Sequence, residues 1–202
     1  MKRIHHLSGI LLTGFIGLHL LNHGFAIFGA ERHIAFMDHL RILYRHPLIE
    51  TLLLAAVCMQ IFSGIRLAVR KRRISPSFFG HLQIWSGLYL ALFLCMHVSA
   101  VLVGRMLLHL DTHFYFGVAG LNTFPLNLFF IPYYGLAILA FFGHIAAIHS
   151  QKMTRHILGL PPDRQAWGIC GLGLVVLVII FYGLTNGFSG VEIPAAYQMM
   201  KG

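Results

Sequence analysis

The chain has 202 residues; 57% are apolar and 10% are Asp, Glu, Lys or Arg. A soluble domain of this length has too much surface to hide that apolar excess, and disorder needs the opposite composition. Both are excluded, and the expected solvent is a lipid bilayer. The formal net charge of +9, from fifteen Lys and Arg against six Asp and Glu, reads as loop charge of a membrane protein. It gives no reason to expect a nucleic-acid partner.

A membrane-crossing helix needs about 20 apolar residues, and five stretches meet this. In chain order they run from Leu7 to Phe28, Leu48 to Val69, Leu82 to Leu108, Leu126 to Ile148 and Trp167 to Gly187. None alternates apolar and polar residues as barrel strands do. The expected fold is therefore all-α, a single transmembrane domain over residues 1–202 with five spans. The first apolar run extends past the length of a signal-peptide core and reads as a retained span. Cys58, Cys95 and Cys170 lie inside apolar runs with no C-x-x-C spacing, so they read as small membrane-facing hydrophobes.

Counting Lys and Arg on the two sides gives ten against five, the larger group including Lys2, Arg3 and the Arg70–Arg73 run. The positive-inside rule then predicts a multi-pass protein of the inner, cytoplasmic membrane, with its N-terminus in the cytoplasm and its C-terminus outside. The basic run serves as a topology signal and, compatibly, as a docking surface for a soluble cytoplasmic subunit. Residues 30–46 have helical spacing of charge and apolarity and read as an interfacial amphipathic segment. The next outer connection holds His109-x-Asp111-x-His113. That spacing converges on a metal only in extended backbone, and interfacial polar residues are the expectation.

Fourteen histidines are present. Ten, among them His5, His6, His33, His109 and His113, fall near span ends or in connections and read as polar residues at headgroup level. His19, His23, His97 and His144 lie within spans, where an ionisable side chain is costly and calls for a function. Span one has Ser8-Gly9 with His19 eleven residues after the serine; span three has Ser86-Gly87 with His97 eleven after. Eleven residues of helix rise about 16 Å. His19 and His97 are then at one depth on two parallel helices, the arrangement a bis-histidine haem needs. Gly14, Gly17 and Gly87 offer room for a macrocycle or for helix packing. His23 follows His19 by one turn on the same face, as an alternative ligand or a hydrogen-bonding neighbour. His144 in span four and Gln60 in span two come to similar depth. They read as a hydrogen-bonded pair, or as the seat of a second haem.

These residues resemble the membrane cytochrome b subunit of succinate:quinone oxidoreductases and fumarate reductases in its single-chain, five-helix form. The likeness rests on His5-His6-Leu7-Ser8-Gly9 and on His19-Leu20-Leu21-Asn22-His23, similar to that family's first span. The second span, Gln60-Ile61-Phe62-Ser63-Gly64-Ile65-Arg66, is similar to the H-x-x-x-G-x-[RY] pattern, with Gln60 in the slot of the inner-haem histidine. The resemblance implies a haem-binding four-helix bundle of spans one to four with a peripheral fifth helix. It also implies haem b iron between His19 and His97, a fourth-span ligand at His144, and an inner haem put in question by Gln60. The implied work is electron transfer between a membrane quinone and iron–sulfur and FAD-containing subunits on the cytoplasmic side; catalysis on succinate or fumarate belongs to those subunits. Candidate quinone contacts are His5, His6 and Arg66 on the inner side and His23 and His109 on the outer. Two other readings are a stand-alone quinone-linked haem protein of the same fold and a haem-free transporter.

Overall fold

The computed structural model describes residues 1–71 and 77–198. Part of the Arg70–Arg73 run, and Lys201, lie outside the described residues. Among the described residues seven α-helices follow one another: α1 Lys2–Gly24, α2 Ala30–Tyr44, α3 Pro47–Lys71, α4 Phe78–Met106, α5 Phe114–Val118, α6 Asn127–Lys152 and α7 Pro162–Leu184. Five of them, α1, α3, α4, α6 and α7, are long and apolar enough to cross a membrane.

Helix ends match local chemistry. Ser77 caps α4, its hydroxyl accepting from the Gly80 amide at 3.1 Å and satisfying an otherwise orphaned N–H. Pro162 opens α7, with Asp163 in its first turn, where a fixed φ and a negative charge both suit a helix start. Glu50 begins α3, and Arg105 ends α4; the two side chains form an ion pair at one end of the bundle.

Each span packs on the next, α1 on α3, α3 on α4, α4 on α6 and α6 on α7. The fifth span, expected at the periphery, lies along α6 and also closes on α1 through the 3-10 turn Phe25–Phe28. Small residues explain this. A Cβ added at Gly173 comes 2.6 Å from the Phe142 Cβ, and one added at Gly183 comes 2.6 Å from the Ile27 backbone nitrogen. Ala146, Ala147 and Ala166 are fully buried between the same helices, as expected where backbones approach in lipid. Large apolar side chains such as Leu7, Phe62, Leu92, Leu128 and Val175 are more than half exposed; this is the face a bilayer covers.

The two ends of the bundle differ. At the end away from the N-terminus, α2, α5 and the segment after α7 build a packed cap around Phe114, Val118, Leu121, Ile193 and Tyr197. Asn122 ties it to the spans, donating to the Leu184 carbonyl at 3.1 Å and accepting from the Val191 amide at 3.0 Å. The amphipathic segment expected at 30–46 is α2, with His33 and Met37 on its buried face and Ile42 and Leu43 exposed.

Candidate functional site

His19 on α1 and His97 on α4 face each other, ring centres 6.0 Å apart and planes at 68°. Aromatic rings back both imidazoles. Phe15 stacks on His19 at 5.9 Å and Phe93 on His97 at 5.1 Å, and Tyr134 of α6 meets His97 edge-on. Phe15 precedes His19 by four residues, and Phe93 stands in the same relation to His97; this spacing puts each pair on one helix face.

The cluster extends toward the cap. His19 and His23 share a hydrogen bond between their Nε2 atoms at 3.2 Å, and His23 Nδ1 lies 3.4 Å from His33 Nε2. Asn22 donates from Nδ2 to the same His33 nitrogen at 3.3 Å. One consistent set of tautomers has His19 donate to His23 and His23 donate to His33. His33 is 1% exposed, and its Nδ1 has no hydrogen-bond partner; neither has Asn22 Oδ1. Sequence reasoning missed His33 by assigning it to the headgroup level. Its signal was the α2 spacing, since His33 and Met37 lie one turn apart on the buried face.

The residues at the N-terminal end are differently engaged. The Ser8 hydroxyl donates to Gln60 Oε1 at 2.7 Å, Gln60 Nε2 donates to His5 Nε2 at 3.4 Å, and His5 Nδ1 donates to Ser63 Oγ at 2.9 Å. This network joins α1 to α3. His144 Nδ1 lies 3.1 Å from both Ser86 Oγ and the Gln83 carbonyl on α4. The hydrogen bonds of Gln60 thus go to α1, and those of the His144 Nδ1 to α4, where the sequence suggested a Gln60–His144 pair. His6 and Arg66 are exposed.

The connection between α4 and α5 brings His109, Asp111 and His113 to no common point. Asp111 pairs with Arg41 at 2.8 Å and approaches Arg45 at 3.8 Å. Partial burial works against its carboxylate, but the hydrogen bond and charge of Arg41 prevail and hold it below the usual carboxylate range. His113 Nε2 lies 3.3 Å from the Tyr197 hydroxyl, which donates to the Asp111 carbonyl at 2.9 Å. His109 is exposed. Among the described residues no three His, Cys, Asp or Glu side chains are grouped to hold a metal ion by themselves.

The donor set at His19 and His97 suits an axially ligated macrocycle. Two imidazoles bound to one metal at about 2.0–2.1 Å each have ring centres roughly 6 Å apart, and the observed separation is 6.0 Å. At the level of His144 and Gln60 the space beside the glycines is taken up by side chains. The space over Gly87 holds the His144 ring, 3.1 Å from an added Cβ, and the space over Gly9 holds the Gln60 amide at 3.3 Å. Of the glycines expected to make room, Gly14 and Gly17 do face open space.

No family model, curated protein or solved structure matches this chain.

Proposed function

We propose that this chain is a membrane cytochrome b similar to the anchor of succinate:quinone oxidoreductases and fumarate reductases, binding one haem b between His19 and His97. The observation that carries this reading is the 6.0 Å approach of two imidazoles on α1 and α4, each buttressed by an aromatic ring, within a bundle of helices long and apolar enough to cross a membrane. Placing histidines within membrane spans costs stability, and a functional role such as metal ligation is the usual return for it.

Haem, when bound, supplies a one-electron carrier whose potential is set by ligation and burial. The chain's own residues do the rest. His19 and His97 offer the two nitrogens. Phe15 and Phe93 hold the imidazole planes. Partners in this reading are membrane lipid, a quinone, and iron–sulfur and FAD-containing subunits in the cytoplasm. The N-terminus lies in the cytoplasm, and the C-terminus lies outside the inner membrane.

The bonding of Gln60 to Ser8 and His5 favours a variant of this reading, a stand-alone quinone-linked cytochrome with a single haem and no dehydrogenase. Affinity purification of the tagged chain from its native membrane separates the two: co-purifying FAD supports the anchor, and a flavin-free haem protein the variant.

The common core is tested by substitution. His97→Ala loses nearly all haem, while Gln60→Ala keeps the wild-type haem-to-protein ratio. Full haem content in purified His97→Ala sinks the assignment.

A further inference from the structure

We propose that the connection between α6 and α7 is a membrane-docking turn that seats on anionic phospholipid. Residues 153–161 separate the two helices. Within them Ile157 and Leu160 exchange both backbone hydrogen bonds, at 3.2 and 2.9 Å, and Leu158 and Gly159 between them take φ of 50° and 73°. Two positive φ values are the mark of a type I′ turn, which favours Asn, Asp or Gly. Leucine is strained in that conformation. The turn nevertheless presents its side chain at the tip, 94% exposed, between Ile157 at 46% and Leu160 at 42%. A strained residue persists where its surroundings hold it, and Gln165 of α7 does so here. Its Nε2 donates to the carbonyls of Arg155 at 3.0 Å and Leu160 at 2.7 Å, and its Oε1 accepts from His149 Nε2 at 2.8 Å.

Depth and charge select the partner. Trp167 and Phe78 stack at 5.2 Å and are both more than half exposed, marking an aromatic level of the kind found at membrane interfaces. Trp167 follows Pro162 by five residues, about 8 Å of helix, so the turn lies within reach of the headgroups. The exposed apolar side chains of the spans meet acyl chains, but Ile157, Leu158 and Leu160 lie between spans, and an exposed apolar cluster there calls for a cover. Lys152, Arg155 and Arg164 flank it, all exposed. The only acidic residue from 152 to 164 is Asp163, whose carboxylate accepts a hydrogen bond from Ser150 Oγ. An apolar tip with a basic collar fits the boundary between phosphates and acyl chains, where each cation near an anionic surface adds attraction. An acidic soluble protein would match the charge but gives no reason for an apolar tip at headgroup depth. The inference is independent of haem and of which end of the bundle is cytoplasmic.

The test uses the full chain in nanodiscs, with Leu158→Cys carrying an environment-sensitive NBD dye and with Cys58→Ala, Cys95→Ala and Cys170→Ala removing other thiols. With phosphatidylglycerol present, the dye is expected to be quenched by lipid spin-labelled near its headgroup and shielded from aqueous iodide; in phosphatidylcholine alone the shielding is weaker. Arg155→Gln combined with Arg164→Gln is expected to cut the preference for phosphatidylglycerol about tenfold. A measurement without dye guards against the probe's own apolarity. Added phosphatidylglycerol raises the Tm of the wild-type chain in detergent. Leu158→Asn suits the turn better, so it raises the Tm without lipid and shrinks the further rise that phosphatidylglycerol brings. Iodide quenching as strong as for free dye in both lipids overturns the proposal and leaves the turn to a soluble partner. Equal shielding in the two lipids, or an unchanged preference in the arginine variant, overturns it as well.

Discussion

His33 is 1% exposed against the Phe114 ring. Burial first, then the neighbouring His19, Arg41 and His113, pushes its imidazole down to about 4 from 6.5. An unfolded chain therefore binds a proton here that the folded chain refuses, and stability falls as pH drops from 6.5 toward 4. By linkage this one group takes away about 2 kcal/mol at pH 5. In thermal melts at pH 7 and pH 5, wild type is expected to lose more stability on acidification than His33→Gln, by about that amount. An equal loss in both proteins would show that His33 is not the titrating group. The example also marks a limit of reading residues from sequence. His19 and His97 were legible because eleven-residue spacing from a Ser-Gly pair fixes depth. His33 was not, because its burial depends on how α2 folds back over α1 and on α5, neither of which a periodicity reveals.

Helices pack through their small residues, and the glycines of α7 are not equivalent. At Gly183 an added Cβ meets backbone atoms of Ala26 and Ile27 within 2.7 Å, while at Gly168 it meets nothing within 4 Å. Backbone cannot rotate away, so Gly183→Ala is expected to destabilise by about 2–3 kcal/mol, whereas Gly168→Ala is neutral or up to ~1 kcal/mol stabilising. Thermal unfolding in detergent measures both; equal effects would mean that α7 does not dock on α1 through Gly183. The five long helices were plain in the sequence because bilayer thickness imposes an apolar length on each. The place of the fifth was not, since Gly171, Gly173 and Gly183 look alike in sequence and only two of the three sit against a neighbour. The hydrogen bonds of Gln60 were hidden for a related reason. Depth was readable along each helix, but the rotation that turns Gln60 toward Ser8 and His5 is set by packing.

Over the whole molecule, charge distribution and fold agree on two unlike ends. Lys2, Arg3, Lys152, Arg155 and Arg164 fall at the N-terminal end, and the cap formed by α2, α5 and the chain after α7 closes the other. The proposal that the N-terminal end is cytoplasmic predicts that a reporter inserted at Leu158, 94% exposed in the connection after α6, reads as cytoplasmic. A reporter at exposed His109 reads as external. The reverse pattern would invert the topology and move any soluble partner to the capped end. The central proposal is a haem held between α1 and α4. It is tested most directly by the dithionite-reduced minus oxidised absorbance spectrum of the purified chain, with haem counted by pyridine haemochrome. The account predicts one low-spin b-type haem per chain. No haem after expression with haem supplied would contradict it, and two per chain would contradict the single site.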